Sequence, residues 1–341
     1  MPKVLVVATS PQSRGGIATV VAALRKTEVW KEHKCCWVAT HIDRSKLHKM
    51  LKLAGGLLKY MVLLPWYDIV HIHLSITVSA NRKYIFYKLA RLLRKKVVVH
   101  LHCGSQLSEI WNSKYQEMFT NSNMCIVLSK SIRDMVVART GKADNVRVVY
   151  NPSPSGVDAP KSEERNKVIL FAATLYREKG YLDLIEAFAK IAVKYPDWKL
   201  VLAGNGSQED GVGRAEQLRV GNRVEFVGWV KGVEKDRLFR SASIFCLPSY
   251  AEGFPMAVLD AWAYGLPVVT TPVGGVPDIV VEGENGLLFT PGDVATLASK
   301  LSMLIENEEL RAKISKESLR LANTTFNVNT IADQLANIYE E

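Results

Sequence analysis

Glu252-Gly-Phe-Pro-Met-Ala-Val-Leu-Asp260-Ala-Trp-Ala-Tyr-Gly265-Leu-Pro-Val-Val269 follows a short apolar run, Ile244 to Leu247, and the pair Pro248-Ser249. That order reads as a strand that ends in a turn and enters a helix, with Pro255 at the first helical position and Gly265-Leu266-Pro267 closing the far end. Such a turn aims the backbone N–H groups of the helix start into a cleft. It also puts Glu252 on the loop and Asp260 just over one turn into the helix. Two carboxylates so placed can address one polyhydroxylated ligand whose phosphates sit at the helix N-terminus.

Working outward, Lys179-Gly180 opens a helix (Leu182 to Tyr195), and Ala203-Gly-Asn-Gly206 follows the run Lys199 to Leu202. Val224-Glu-Phe-Val-Gly228-Trp229-Val230, Gly274-Gly275-Val-Pro-Asp278 and Glu284-Asn-Gly-Leu-Leu-Phe289 complete the series. In this order and spacing, over nearly the whole second half, the chain resembles the retaining glycosyltransferases of family four. Any one of the glycine pairs alone is a weak signal. The resemblance implies an α/β protein of the GT-B fold, two Rossmann-like doubly wound parallel-sheet domains facing a central cleft.

The periodicity gives the same architecture independently. Apolar runs at Lys3 to Ala8, Trp37 to Thr40, Asp68 to His73, Lys96 to His102, Met124 to Leu128 and Val146 to Val149 alternate with helical patterns. The second half repeats this at Val168 to Ala172, Lys199 to Ala203, Val224 to Val227, Ile244 to Leu247, Pro267 to Thr270 and Gly286 to Phe289. Continuous apolar runs between helices predict parallel sheets covered on both faces, with ligands at the carboxyl ends of the strands. A length of 341 residues suits two such domains. The Pro/Ser/Gly-rich segment 151–162 reads as a linker between residues 1–150 and 163–321. The terminal segment, about 322–341, returns to the first domain by resemblance.

Five cysteines (Cys35, Cys36, Cys103, Cys125, Cys246) show no metal-ligand spacing and read as reduced, packed side chains. With no apparent signal peptide or membrane-spanning run, the expectation is a cytoplasmic enzyme, peripheral at the inner face of the cell membrane. Residues 1–150 carry 24 Lys+Arg against 8 Asp+Glu, and residues 151–341 carry 20 against 26. The basic half is suited to polyanions. Two stretches, 46–64 with Lys46, Lys49, Lys52 and Lys59 among aliphatics, and 82–96, read as basic amphipathic helices for an anionic membrane surface. No nucleic-acid module is present in the sequence.

The chemistry to be supported is departure of a nucleoside diphosphate from an anomeric carbon, so positive potential at the phosphates matters most. No Asp-x-Asp occurs in the sequence, and the expectation is a metal-free reaction in which helix termini and Lys179 meet the charge. By resemblance, Glu252 contacts hydroxyls of the donor sugar and Asp260 the ribose, with Gly253, Phe254, Pro255 and Met256 forming the loop between. Gly204, Asn205 and Gly206 line the donor site, and Val230 meets the base through its backbone. Trp229 stacks or merely packs. Gly15 and Gly16 reach the diphosphate, and a UDP-sugar is favoured over a GDP-sugar. Where the family has an arginine this chain has Thr174, which brings a hydroxyl and no charge, so Arg177 or Arg14 compensates or the leaving group is less stabilised. Asp260 stands where the family has Glu, one methylene shorter.

His71 and His73 end one strand, His100 and His102 another, and alternation sends each pair to one face. A metal site is not expected there, because no carboxylate completes a ligand set. The resemblance places His102, with Gly104 close behind, at the reaction centre, and Arg14, His73 and Ser75 on the acceptor side. His71 and His100 read as packing or polar-network residues. The expected function is a retaining glycosyltransferase acting on a lipid-linked saccharide in surface polysaccharide or glycoconjugate assembly. The alternatives are transfer to a soluble small molecule, or a nucleotide-sugar-binding subunit whose catalysis is weakened at Thr174 and Asp260.

Overall fold

Two parallel sheets, each six strands wide, organise the chain. The structure is a computed structural model and describes every residue except 14, 76, 104–106, 158 and 161–164. It divides into a first unit, Met1–Pro152 with Val328–Glu341, and a second unit, Ser153–Asn327. The α/β doubly wound class expected from the alternating runs is what forms.

The first sheet comprises β1 (Val4–Ala8), β2 (Cys36–Ala39), β3 (Ile69–Leu74), β4 (Lys96–Leu101), β5 (Met124–Val127) and β6 (Val146–Val148), in the order β2-β1-β3-β4-β5-β6. Its strand order reverses between β1 and β3, the place where doubly wound sheets open a crevice at their carboxyl ends. Leu5, Val7, Val70, Ile72, Val97 and Val99 pack on one face with Tyr60, Phe86, Tyr87, Tyr115 and Phe119, all buried. Alternation sends the intervening His71, His73 and His100 to the other face, where Tyr339 of the last helix, Val328–Glu340, meets His71.

The second sheet comprises β7 (Val168–Ala172), β8 (Lys199–Ala203), β9 (Val224–Gly228), β10 (Ile244–Leu247), β11 (Val268–Thr270) and β12 (Leu287–Leu288). Its order, β12-β11-β10-β7-β8-β9, is the Rossmann arrangement, with the reversal between β7 and β10. The loops after β7, β8 and β10 are those that carry Thr174, Asn205 and Glu252. They pack backbone against backbone, and glycines make this possible. A Cβ on Gly180 would lie 1.9 Å from the Pro248 carbonyl oxygen, and one on Gly274 would lie 2.0 Å from that of Glu252.

Several local expectations shift. Pro255 is the N-cap of helix Met256–Ala263 rather than its first residue. Two N–H groups of that turn are used internally, Met256 donating to the Phe254 carbonyl and Val258 to that of Pro255, each at 2.9 Å, which narrows the expected set of outward donors. Lys179 ends a 3-10 turn, Arg177–Lys179, and the left-handed Gly180 then caps helix Tyr181–Ala192, so the helix starts one residue early and stops three short of Tyr195. At the start of the segment read as a linker, Asn151 and Ser153 are buried, and the Ser153 hydroxyl donates to the Ala322 carbonyl at 2.7 Å.

The two basic stretches part company. Helix Lys46–Leu63 buries only Gly56 and Tyr60 and leaves Leu47, Met50, Leu51, Leu58, Met61 and Val62 exposed. Helix Thr77–Leu92 instead turns Ala80, Lys83, Phe86, Tyr87 and Ala90 into the core, so Lys83, within the stretch 82–96 read as a basic membrane-surface helix, is an interior residue. Its spacing with Phe86, Tyr87 and Ala90 puts it on the apolar stripe. Among the described residues no helix is long and apolar enough to cross a membrane.

Candidate functional site

At the switch point of the second sheet, the Lys179 ammonium lies 2.7 Å from Glu252 Oε1, and the Ser249 hydroxyl donates to the same oxygen at 2.6 Å. The structure thus brings together two residues that are far apart in sequence. Both are largely but not wholly buried, 26% and 10% exposed, so the pair faces solvent at one edge. Ser249 was not singled out from sequence. Its signal is positional, a hydroxyl three residues before a carboxylate in a turn.

Asp260 has a different partner. Its carboxylate lies 2.7 Å from Lys235 Nζ on helix Val233–Ser241. Burial pushes the Asp260 carboxyl up from the usual range, and the Lys235 cation opposes that shift. Lys235 was also missed, although its spacing with Leu238, Phe239 and Ala242 marks a lysine on a helix's inner stripe. Around this pair, the Tyr264 hydroxyl donates to Asp236 at 3.0 Å, and Arg240 holds the other oxygen of Asp236 at 2.8 Å.

The remaining second-unit candidates line the strand ends as follows. Thr174 is exposed after β7, and the next residue, Leu175, donates its N–H to the Asn205 carbonyl at 2.8 Å, tying the β7 and β8 loops together. Gly204 is buried, while Asn205 and Gly206 are exposed. Gly253 is half-buried, and its carbonyl accepts from the Gly275 N–H at 3.0 Å; Phe254 and Pro255 are buried, and Met256 is half-buried. Trp229 is 42% exposed with Lys231 Nζ 5.6 Å from its ring centroid, and Val230 is half-buried.

In the first unit, Gly15 adopts φ +117° as the N-cap of helix Gly16–Leu24, a conformation that favours glycine. Arg14 and Gly104 lie outside the described residues. Strands β3 and β4 align His73 with His100, and the His102 N–H donates to the Leu74 carbonyl at 2.8 Å. The four imidazoles form a stack. His73 and His102 share a ring-to-ring hydrogen bond of 2.8 Å, and the Tyr339 hydroxyl and His71 are 2.7 Å apart. Beneath them, Lys83 donates to the His73 carbonyl and to Ser79, and the Tyr115 hydroxyl donates to the Ser75 carbonyl. Burial, with Arg82 beside it, brings the Lys83 ammonium down to about 7.

Burial also pushes His71 and His102 down to about 3, so both rings are neutral near pH 7. His71, His73 and His100 bring ring nitrogens within 4.8 Å of one another. Their rings lie at interplanar angles of 24°, 6° and 30°, and His71 Nε2 lies 3.3 Å from His100 Nδ1. His71 and His100 share one hydrogen bond, whereas His73 Nε2 and His100 Nε2 are buried without a hydrogen-bond partner.

Parallel sheets with polar clusters at their switch points define a class of nucleotide-handling α/β protein, and the known relatives narrow it. Two family models match back to back, Glycosyltransferase Family 4 over residues 12–154 and Glycosyl transferases group 1 over residues 157–320. The chain belongs to this glycosyltransferase family. An uncharacterized glycosyltransferase of Haemophilus influenzae is 32% identical over 195 residues, 57% of this chain and 54% of that protein, so the match spans about half of the relative's length. The capsular polysaccharide biosynthesis glycosyltransferase CapM of Staphylococcus aureus is 26% identical over 272 residues, 73% of this chain and 72% of that one. A crystal structure of Anabaena HepE in complex with UDP shares the fold over 99% of both chains, with a TM-score of 0.80 and 20% identity.

Proposed function

We propose that this chain transfers a sugar from a UDP-sugar to a hydroxyl of a lipid-linked saccharide, with retention of anomeric configuration and without a metal ion. The observation that carries the reading is the Lys179–Glu252–Ser249 cluster at the β7/β10 switch point, where a doubly wound sheet binds a nucleotide. HepE, which shares the fold, has been crystallised with UDP and with UDP-glucose. CapM is named for capsular polysaccharide biosynthesis, and this supports a surface-glycan acceptor.

In this reading the C1–O bond to the diphosphate breaks as the acceptor oxygen bonds to C1 on the same face. The acceptor proton goes to the departing phosphate oxygen. Lys179 supplies fixed positive charge to the leaving group, exchanging part of its pairing with Glu252 for the phosphate oxygens, while Glu252 accepts from sugar hydroxyls. Asp260 accepts from the ribose, and the Lys235 cation opposes the upward shift that burial gives its carboxyl. Thr174 contributes a hydroxyl without charge. His102, neutral because it is buried, is a hydrogen-bond partner for a hydroxyl, not a cation. The first unit takes the acceptor, and its helix Lys46–Leu63 lies on the anionic inner face of the cell membrane. At 100° per residue, Leu47, Met50, Leu51, Leu58, Met61 and Val62 fall within an arc of roughly 120°. Their exposure, with Met50 at 69% and Trp66 just beyond the helix at 73%, supports insertion between lipids.

The test is turnover with a panel of nucleotide sugars in excess chelator. Donor consumption should persist, and NMR of the first product should show the donor's anomeric configuration. Complete loss that added metal restores, or an inverted product, contradicts the reading.

A further inference from the structure

Beside the edge strand β2, the first unit contains a cavity of about 640 Å3 that none of the residues discussed for sugar transfer line. Its walls bring together three cations, Arg25, Lys52 and Lys59, and two half-buried indoles, Trp30 and Trp37, and among the described residues no carboxylate lines it. The Cys35 thiol in the same wall is pushed up to about 12 by burial, so it adds no negative charge. The Lys59 ammonium, donating to the Trp37 carbonyl at 2.9 Å, is fixed in place at the rim.

The helix floor carries a second, independent sign. Gly55 and Gly56 are adjacent in the interior of helix Lys46–Leu63, where glycine is unfavourable relative to alanine. Packing explains one of them: a Cβ on Gly56 would lie 2.3 Å from the Ala39 carbonyl oxygen. Gly55 meets nothing within 4 Å, and it lines the cavity. What its missing side chain preserves is open volume. Leu51, also in the lining, is exposed and belongs to the aliphatic stripe, so the cavity opens next to the surface suited to lipid.

We propose that this cavity seats a phosphate group esterified to a lipid, its charge met by Arg25, Lys52 and Lys59, with the hydrocarbon leaving along the stripe through Leu51 and Leu58. Cations without a counter-carboxylate give phosphate oxygens charge-assisted hydrogen bonds, and the indoles, with the Trp37 N–H held by the Thr9 carbonyl at 2.9 Å, offer apolar faces to the carbons next to the ester. Two lipids carry this chemistry, a membrane phospholipid and the lipid carrier of a saccharide acceptor. Assigning the site to the acceptor's carrier rests on the glycosyl-transfer reading; assigning it to a phospholipid does not.

The experiment is flotation of the full chain with phosphatidylcholine vesicles doped either with undecaprenyl phosphate or, at equal charge, with phosphatidylglycerol. Gly55→Leu places a branched side chain in the cavity next to Lys52 and Lys59, whereas Gly55→Ala adds one methyl group and favours the helix. Gly55→Leu should lower binding to the doped vesicles by about tenfold, the scale of one lost charge-assisted phosphate contact, and Gly55→Ala should not. Both variants should keep the parent's near-UV circular dichroism and UDP affinity. A loss confined to undecaprenyl phosphate assigns the site to the acceptor carrier, and a loss with both lipids assigns it to lipid phosphate in general. Parent-like flotation of Gly55→Leu overturns the proposal. If that variant does not fold, Arg25→Gln combined with Lys52→Gln must show the same loss, and parent-like binding by it is equally decisive. A parent chain that floats but binds no UDP contradicts the glycosyl-transfer reading and leaves the cavity assignment standing.

Discussion

All seven histidines and a balance of 24 Lys+Arg to 8 Asp+Glu lie in residues 1–150, whereas residues 151–341 hold no histidine and 20 against 26. The sheets are of one kind, but their cations are used differently. In the second unit, cations at the strand ends are matched one to one with carboxylates, Lys179 with Glu252 and Lys235 with Asp260. In the first, Arg25, Lys52 and Lys59 line a cavity with no acid among the described residues, and the polar cluster at the strand ends is a group of neutral imidazoles. Paired charges give fixed positions for a ligand with defined geometry. Unmatched charges give a field, which suits a surface or a lipid headgroup whose position is set by the membrane.

The largest expected effect of this difference is on acid stability. His71 and His102 bind their protons at about 3 in the folded chain against an ordinary value near 6.5, so the unfolded state holds more protons between those limits. Their stabilisation is complete above pH 6.5 and is lost as pH falls toward 3, by up to ~1.4 kcal/mol per pH unit for each ring. The first unit should therefore open before the second on acidification. Limited proteolysis at pH 5 should cut within residues 1–152 while fragments of 165–327 persist. Cleavage in the opposite order breaks the contrast.

Next in size is Lys179→Ala. It removes the cation that Glu252 holds at the switch point, and turnover should fall by roughly a hundredfold to a thousandfold, the scale for one donor to developing charge. Donor consumption assays check this. Parent-like rates would show that the cluster is structural only.

The smallest effect concerns Lys235→Met. The variant leaves a largely buried Asp260 carboxyl without its cation, so it should melt a few degrees below the parent. Without the cation, burial raises the Asp260 carboxyl further, so UDP affinity should begin to fall at a higher pH than in the parent as the solution is acidified. Calorimetric titrations at two pH values check the sign. An unchanged pH profile would separate Asp260 from nucleotide binding.

Much of this was legible from sequence because parallel strands covered on both faces are continuous apolar runs. The expected bounds of β7, β8 and β10 match those that form, and β12 shrinks to Leu287–Leu288 at the sheet edge. The loop placement of Glu252 and the facing of the histidines followed from turn and alternation rules. Two of the misses share one physical origin. Lys83 and Lys235 belong to charged segments, and local composition reads such residues as solvated. Each instead lies on the apolar stripe of its helix and reaches a polar group on a distant segment, the His73 carbonyl or the Asp260 carboxylate. Nothing local encodes those partners, but the i, i+3, i+4, i+7 spacing around each lysine does encode its inward direction. Gly56 is similar: its cause, the Ala39 carbonyl, is supplied by a strand rather than by its own helix.

The most direct test of the donor assignment is hydrogen–deuterium exchange of the full chain with and without UDP, in the presence of chelator. UDP should slow exchange in the segments around Thr174 to Gly180, Gly204 to Gly206 and Ser249 to Asp260, where the second sheet's strands end. Unchanged exchange in all three segments at saturating UDP, or protection that appears only when a divalent metal is added, would contradict a metal-free nucleotide site built on Lys179, Glu252 and Asp260.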